Sequence, residues 1–153
     1  MMNFCTGKEI LGFAGKLISE KHQAKLYSLD LTVAKVFALA KGGDIDFGGS
    51  EEKEALTEEV KPVKKDAEDK YGWWHLTEGE YLVEFNEKPE IPENHIGILQ
   101  PLERTLKAGG VHPTLLLSPG QRASSALLVV GKSGFNVKEN ARISSLWGIK
   151  PGD

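Results

Sequence analysis

Between Val111 and Leu146 the chain reads VHPTLLLSPGQRASSALLVVGKSGFNVKENARISSL, three apolar segments separated by short turns. The segments 114–117, 126–130 and 141–146 are rich in Leu, Val, Ile and Thr, and Ser118-Pro119-Gly120 and Gly131-Lys132-Ser133-Gly134 punctuate them. No spare length remains for a helix of several turns, so this third of the chain must form strands joined by tight turns. Further short strands upstream, again bounded by Gly, Pro and Asn, predict an all-β barrel or sandwich.

A length of 153 residues fits one domain, 1–153, large enough to bury a core without metals or disulfides. The net charge of −3, with both signs intermixed, excludes a global attraction to nucleic acid or anionic membrane. Any anion site must therefore be local. The single cysteine, Cys5, has no disulfide partner and no zinc-type cluster around it, and reads as a partly buried thiol. There is no basic leader and no run near the ~20 apolar residues of a membrane span, so a soluble cytoplasmic protein is expected.

Thr6 and Glu9 form a Thr-x-x-Glu capping box, predicting a helix over 7–14 that ends near Gly15. Residues 25–39 suit one strand or two, interrupted by Asp30. From 42 to 70 the apolar pattern gives way to Gly, Glu, Lys and Asp, which predicts a partly mobile, solvated excursion. Trimming 49–70 is then expected to leave folding largely intact. Gly48-Gly49-Ser50 lacks the Lys-Ser or Lys-Thr of a phosphate loop and reads as a flexible turn. Trp73 and Trp74 are assigned to packing. Residues 77–80 form a turn ahead of a half-buried strand carrying Tyr81, Val83 and Phe85. Another strand covers 95–99, and a short helix at 102–108 closes at Gly109-Gly110.

The segments LYSLDLTV, GEYLVEFNE with the following PEIP, the Pro101 stretch and KENARISSL together resemble the dUTPase and dCTP deaminase superfamily. The resemblance implies a dUTPase-like all-β barrel of β-clip type with one or two short helices. It also implies a homotrimer, with sites for a pyrimidine deoxynucleoside triphosphate between subunits and Mg2+ arriving with the phosphates. Nucleic acid and membrane are not expected partners.

Four family motifs map onto this chain. Asp30 falls where an aspartate orients metal-bound phosphates through water; otherwise it is a strand-end acid. Magnesium keeps several waters and binds through few carboxylates, so no direct protein ligand to it is expected. The family's P-R-S-S-L-L-R-x-G becomes Pro101-Leu102-Glu103-Arg104-Thr105-Leu106-Lys107-Ala108-Gly109. Leu102 and Glu103 replace its arginine and first serine, while Arg104 and Lys107, three apart on one helical face, can still reach phosphate or else form a solvated surface. The third motif is a hairpin cupping base and sugar, with Val111 and Thr114 near its start as nucleotide contacts. Ser118 stands in place of its aspartate, and a serine hydroxyl is too weak a base near neutral pH. His112 can act as acid or base, or simply line the pocket. The fourth motif carries Arg142, Ser144 and Ser145, and its planar guanidinium suits either a phosphate or a carboxylate. Residues 147–153 contain no Gly-rich arm to cover the phosphates.

The activity implied is hydrolysis of dUTP to dUMP and pyrophosphate, with Asp30, His112, Asp44 or Asp46 supplying the base. The alternative is a non-catalytic trimer acting as nucleotide sensor or regulatory scaffold, favoured by the changes at Leu102, Glu103 and Ser118. Deamination of dCTP ranks below both, since the arginine and the hairpin acid it needs are absent.

Overall fold

The computed structural model describes residues Met1–Asp153. Its elements run β1 (Met2–Phe4), α1 (Gly7–Gly12), α2 (Glu20–Gln23), β2 (Ser28–Lys41), β3 (Leu56–Val60), β4 (Trp73–Leu76), β5 (Gly79–Phe85), β6 (Ile96–Pro101), α3 (Glu103–Ala108), β7 (Gly110–Val111), β8 (Leu115–Leu117), β9 (Ser125–Val130), β10 (Phe135–Lys138) and β11 (Arg142–Pro151).

Strand β2 organises this all-β fold. It is one 14-residue strand rather than two shorter ones, and Leu29, Leu31, Val33 and Val36 along it are fully buried. Its first half pairs with β11, matching Leu29 to Leu146 and Asp30 to Ser145; its second half pairs with β5 on one side and β3 on the other. A sheet of order β7-β9-β5-β2-β11-β6-β8 results, with β1 added to β11, while β10 and β4 form a separate pair. Register shifts at Val33/Lys35 and at Arg142/Ser144 bend the strands where they change partners. The apolar residues of β2, β5, β6, β9 and β11 converge on one 23-residue core.

The capping box forms as the sequence predicts. The Thr6 hydroxyl accepts from the Glu9 amide at 3.2 Å, and the Glu9 carboxylate accepts from the Thr6 amide at 3.1 Å. Regular helix stops at Gly12, two residues short of the expected end, and Gly15 takes φ +79°. The third helix ends where Gly109 adopts φ +109°. There are three short helices instead of one or two, because the four residues of α2 are too few to show a helical period. Strand β11 runs to Pro151, beyond the expected 141–146.

The charged excursion needs the largest correction. Within it lies β3, paired to β2 from Val36 to Lys41. The Trp74 indole donates to the Val60 carbonyl at 2.7 Å, and Val63 and Trp73 exchange two backbone bonds of 2.8 Å. The residues Leu-Thr-Glu-Glu are all exposed, so β3 shows no alternation of burial; backbone pairing at a sheet edge holds it. Removing 49–70 therefore uncovers β2 and breaks a ladder. The Gly48-Gly49 turn stands as expected, with Asp46 accepting from the Gly49 and Glu51 amides. Cys5 is fully buried, and burial raises its thiol pKa. No helix is long and apolar enough to cross a membrane.

Candidate functional site

Helix α3 is pinned against β11 by two bonds to one carbonyl. The Leu102 amide and the Thr105 hydroxyl both donate to Ile143 O, at 2.8 and 2.6 Å. Next to this anchor, α3 and the β10–β11 turn enclose a cleft of about 420 Å3, lined by Arg104, Lys138 and Arg142 with Asn136, Asn140 and Trp73. Lys65 and Lys138 place their ammonium groups 4.3 and 5.7 Å from the Trp73 ring centroid, within cation–π range. The one carboxylate in the lining, Glu139, accepts from the Gly72 amide at 2.6 Å. Salt bridges in the chain involve Lys61, Lys107, Arg122, Arg142 and Lys150, which leaves Arg104 and Lys138 without a carboxylate partner.

Arg142 joins the cleft to a buried polar network. Its guanidinium donates to Asp30 Oδ2 at 2.8 Å and to the His22 carbonyl at 3.3 Å. Asp30 is 1% exposed, and its Oδ1 is buried with no partner. The Gln23 amide accepts from the Ile18 and Ser19 amides, and its NH2 group donates to Asp30 O and to Glu87. Glu87, 1% exposed, accepts as well from the Thr32 amide at 2.8 Å and the Thr32 hydroxyl at 2.6 Å. Asn86 extends the network to Asn140 at the cleft wall, at 2.9 Å. The bulge near Arg142 turns that side chain toward Asp30, on the same face of the sheet as Thr32.

The other residues singled out by the sequence lie elsewhere. His112 is 2% exposed; its Nδ1 lies 2.9 Å from the Pro113 carbonyl and its Nε2 2.8 Å from Ser144 Oγ. A carbonyl can only accept, so Nδ1 carries the proton and Nε2 accepts from the serine hydroxyl. Burial pushes the imidazole pKa below its ordinary value, opposed in part by the Pro113 carbonyl. Ser145 accepts from the Trp147 indole at 3.1 Å. Lys107 pairs with Glu103 at 3.0 Å on the exposed face of α3 and is not among the cleft residues, so the shared face with Arg104 does not extend to it. Val111 pairs with Val129 at the sheet edge, and Thr114 is exposed. At the hairpin tip the Ser118 amide donates to Gln121 at 2.7 Å, and no acid takes the vacated place. Asp44 pairs with Lys53 through backbone, and Asp46 caps its own turn.

No protein-family model matches the chain. A protein of Methanosarcina mazei described as a probable deoxyuridine 5'-triphosphate nucleotidohydrolase is 34% identical over 131 residues, covering 84% of this chain and 73% of that protein. This chain belongs to the dUTPase and dCTP deaminase superfamily. The deoxyuridine 5'-triphosphate nucleotidohydrolase of Methanocaldococcus jannaschii is 27% identical over 127 residues, 83% of this chain and 78% of its own. The superfamily fold is borne out by the 2'-deoxycytidine 5'-triphosphate deaminase of Agrobacterium tumefaciens, with TM-score 0.68 at 12% identity over 98% of this chain. The chain spans about half the length of that deaminase, 48%.

The sequence assigned Trp73 to packing without its place at the cleft, and passed over Lys138, Gln23 and Glu87. The Phe-Asn-Glu text that carried part of the resemblance held the signal for Glu87, since an acid directly after a buried strand needs a partner. Magnesium, which the resemblance implies, would arrive with the phosphates, and the side chains present offer it no direct ligand, as expected of an ion held mainly by its waters and the substrate. No group of three His, Cys, Asp or Glu can hold a metal, Glu139 is engaged with Gly72, and the Asp30 side chain is 2% exposed and bound to Arg142. So enclosed, the Asp30 carboxylate is held by Arg142 and does not face the cleft's solvent.

Proposed function

We propose that the chain binds the triphosphate of a pyrimidine deoxynucleotide, dUTP foremost, with the phosphates in the cleft of Arg104, Lys138 and Arg142. The observation that carries this reading is the convergence of those three cations in one concave site on a chain of net charge −3. The names of the relatives support dUTP as substrate and its hydrolysis to dUMP and pyrophosphate as the reaction. In that reading the guanidinium groups hold and orient the phosphates, while a base must take a proton from the attacking water.

A second reading, binding without turnover, is favoured by the state of the expected bases. Asp30 is buried and ion-paired, His112 has both ring nitrogens engaged inside the protein, and Ser118 is a hydroxyl. The protein then serves as a nucleotide sensor or regulatory module. A homotrimer belongs to both readings, supported by the exposed Ile96, Leu115 and Leu116 on β6 and the sheet-edge strand β8. Thermal shift and pyrophosphate release, measured together on dUTP, dCTP, dTTP and UTP, separate the two. Stabilisation by dUTP with release supports hydrolysis, stabilisation without release supports the binder, and no response to any nucleotide overturns both.

A further inference from the structure

Asn140, in the turn between β10 and β11, takes φ +65°, in the left-handed region that glycine enters without steric penalty. Backbone bonds fix this turn to β2: the Asn140 amide donates to the Val33 carbonyl at 2.9 Å, and the Val33 amide donates to the Ala141 carbonyl at 3.0 Å. Neither bond uses the Asn140 side chain, which lines the cleft with Arg104, Lys138 and Arg142. The buried network sets its orientation. Thr32 spends its one hydroxyl proton on Glu87, at 2.6 Å, so its oxygen only accepts, and the Asn86 NH2 group donates to it at 2.9 Å. The same NH2 group donates to the Val33 carbonyl at 3.4 Å and to Asn140 Oδ1 at 2.9 Å. Turned the other way, the Asn86 amide would set its oxygen against two acceptors. With its own oxygen held by Asn86, Asn140 is left with an NH2 donor that has no protein partner.

Resting on the reading of the cleft as a phosphate site, we propose that Asn140 is a ligand-contact residue whose NH2 group donates to a phosphate oxygen, with Asn86 and Thr32 as the positioning residues that hold it there. Arg104 and Lys138, which lack acidic partners, draw the anion by charge alone. A carboxamide fixed in advance adds a directed donor whose ordering cost is already met in folding. Glycine would satisfy the turn with less strain, and the carboxamide is what asparagine adds at this position. The chain of bonds from Glu87 through Thr32 and Asn86 thus joins the fold-holding network to the cleft by neutral groups, beside the charged route through Asp30 and Arg142.

Calorimetric titration of the full chain in magnesium chloride, with inorganic tripolyphosphate and with the α,β-imido analogue of dUTP, tests this. Asn140→Gly keeps the turn and removes the donor, and is expected to weaken both ligands about tenfold, the size of one hydrogen bond to a charged oxygen, with an unchanged circular dichroism spectrum. Asn140→Asp keeps the acceptor for Asn86 but sets an anion where the NH2 group stood, and should weaken binding further. Asn86→Ala is expected to cost about threefold in the parent protein and nothing more in Asn140→Gly, because the two residues act as one unit. Unchanged affinity in Asn140→Gly overturns the contact and leaves the phosphate reading of the cleft standing. Equal losses for Asn86→Ala in both backgrounds overturn the positioning role. A loss seen with the nucleotide analogue but not with tripolyphosphate overturns the assignment to phosphate. A parent protein that binds neither ligand sinks the cleft reading and this inference together.

Discussion

The acids beneath β2 and the bases of the cleft are separated by one side chain and treated in opposite ways. Glu87 and Asp30 are each 1% exposed; Glu87 accepts from three donors and Asp30 is paired with Arg142. Arg104 and Lys138 are exposed and have no acidic partner. Burying an ionisable group without partners costs several kcal/mol, so the acids stay inside with partners, Glu87 with three donors and Asp30 through Oδ2 to Arg142, although Asp30 Oδ1 is unmatched. Exposed cations carry no such demand and remain free to meet a ligand. Carboxylates here are held within the fold, and in the proposed reading the exposed cations meet the ligand, which is why a search for catalytic acids leads to structural residues.

Arg142 belongs to both regions, and removing it is the most severe way to break the contrast. Arg142→Ala leaves Asp30 buried and uncompensated, and is expected to destabilise the protein by about 3–5 kcal/mol as well as weaken phosphate binding. Denaturant unfolding reads the first effect and calorimetry the second; lost affinity at unchanged stability would show that Asp30 does not need its partner. Glu87→Ala should act on the fold side only at first hand, leaving the Thr32 amide, the Thr32 hydroxyl and the Gln23 amide unmatched at about 3 kcal/mol. A melting temperature equal to that of the parent protein would remove Glu87 from the network.

Acid tests the His112–Ser144 pair. The folded-state pKa of His112 is lowered, so the folded protein binds fewer protons than the unfolded chain, and the neutral imidazole's contribution is present above its ordinary value of 6.5. Stability is expected to fall as pH drops below 6.5 toward the folded-state value, and His112→Gln should flatten that part of the stability profile. An unchanged slope in the variant would assign the acid loss to other groups. The smallest effect belongs to Lys107, whose exposed pair with Glu103 should contribute less than about 0.5 kcal/mol. A larger loss in Lys107→Ala, read by the same denaturant titration, would show that the outer face of α3 carries more than solvated charge.

Local chemistry was legible in the sequence wherever neighbouring residues decide it. The Thr6–Glu9 box, the turn at Ser118-Pro119-Gly120 and the helix stop at Gly109 follow from side-chain reach and backbone freedom over three or four residues. Apolar alternation in β5 showed which face would be buried. The edge strand β3 escaped because Leu-Thr-Glu-Glu-Val buries almost nothing, and its pairing with β2 is a contact between distant backbones.

The superfamily and its all-β fold were likewise carried by the sequence, since strand order and motif text survive changes at individual site residues. Tertiary structure alone decided what each polar residue does. Asp30 lies 112 positions from Arg142 and Glu87 lies 55 from Thr32, separations over which no local pattern reports who will be the partner. Trp73, Arg104 and Lys138 become one cleft only when α3, the end of β10 and the start of β4 are brought together by the sheet. Residue type fixed the charges; burial and long-range pairing determined which of them were left for a ligand.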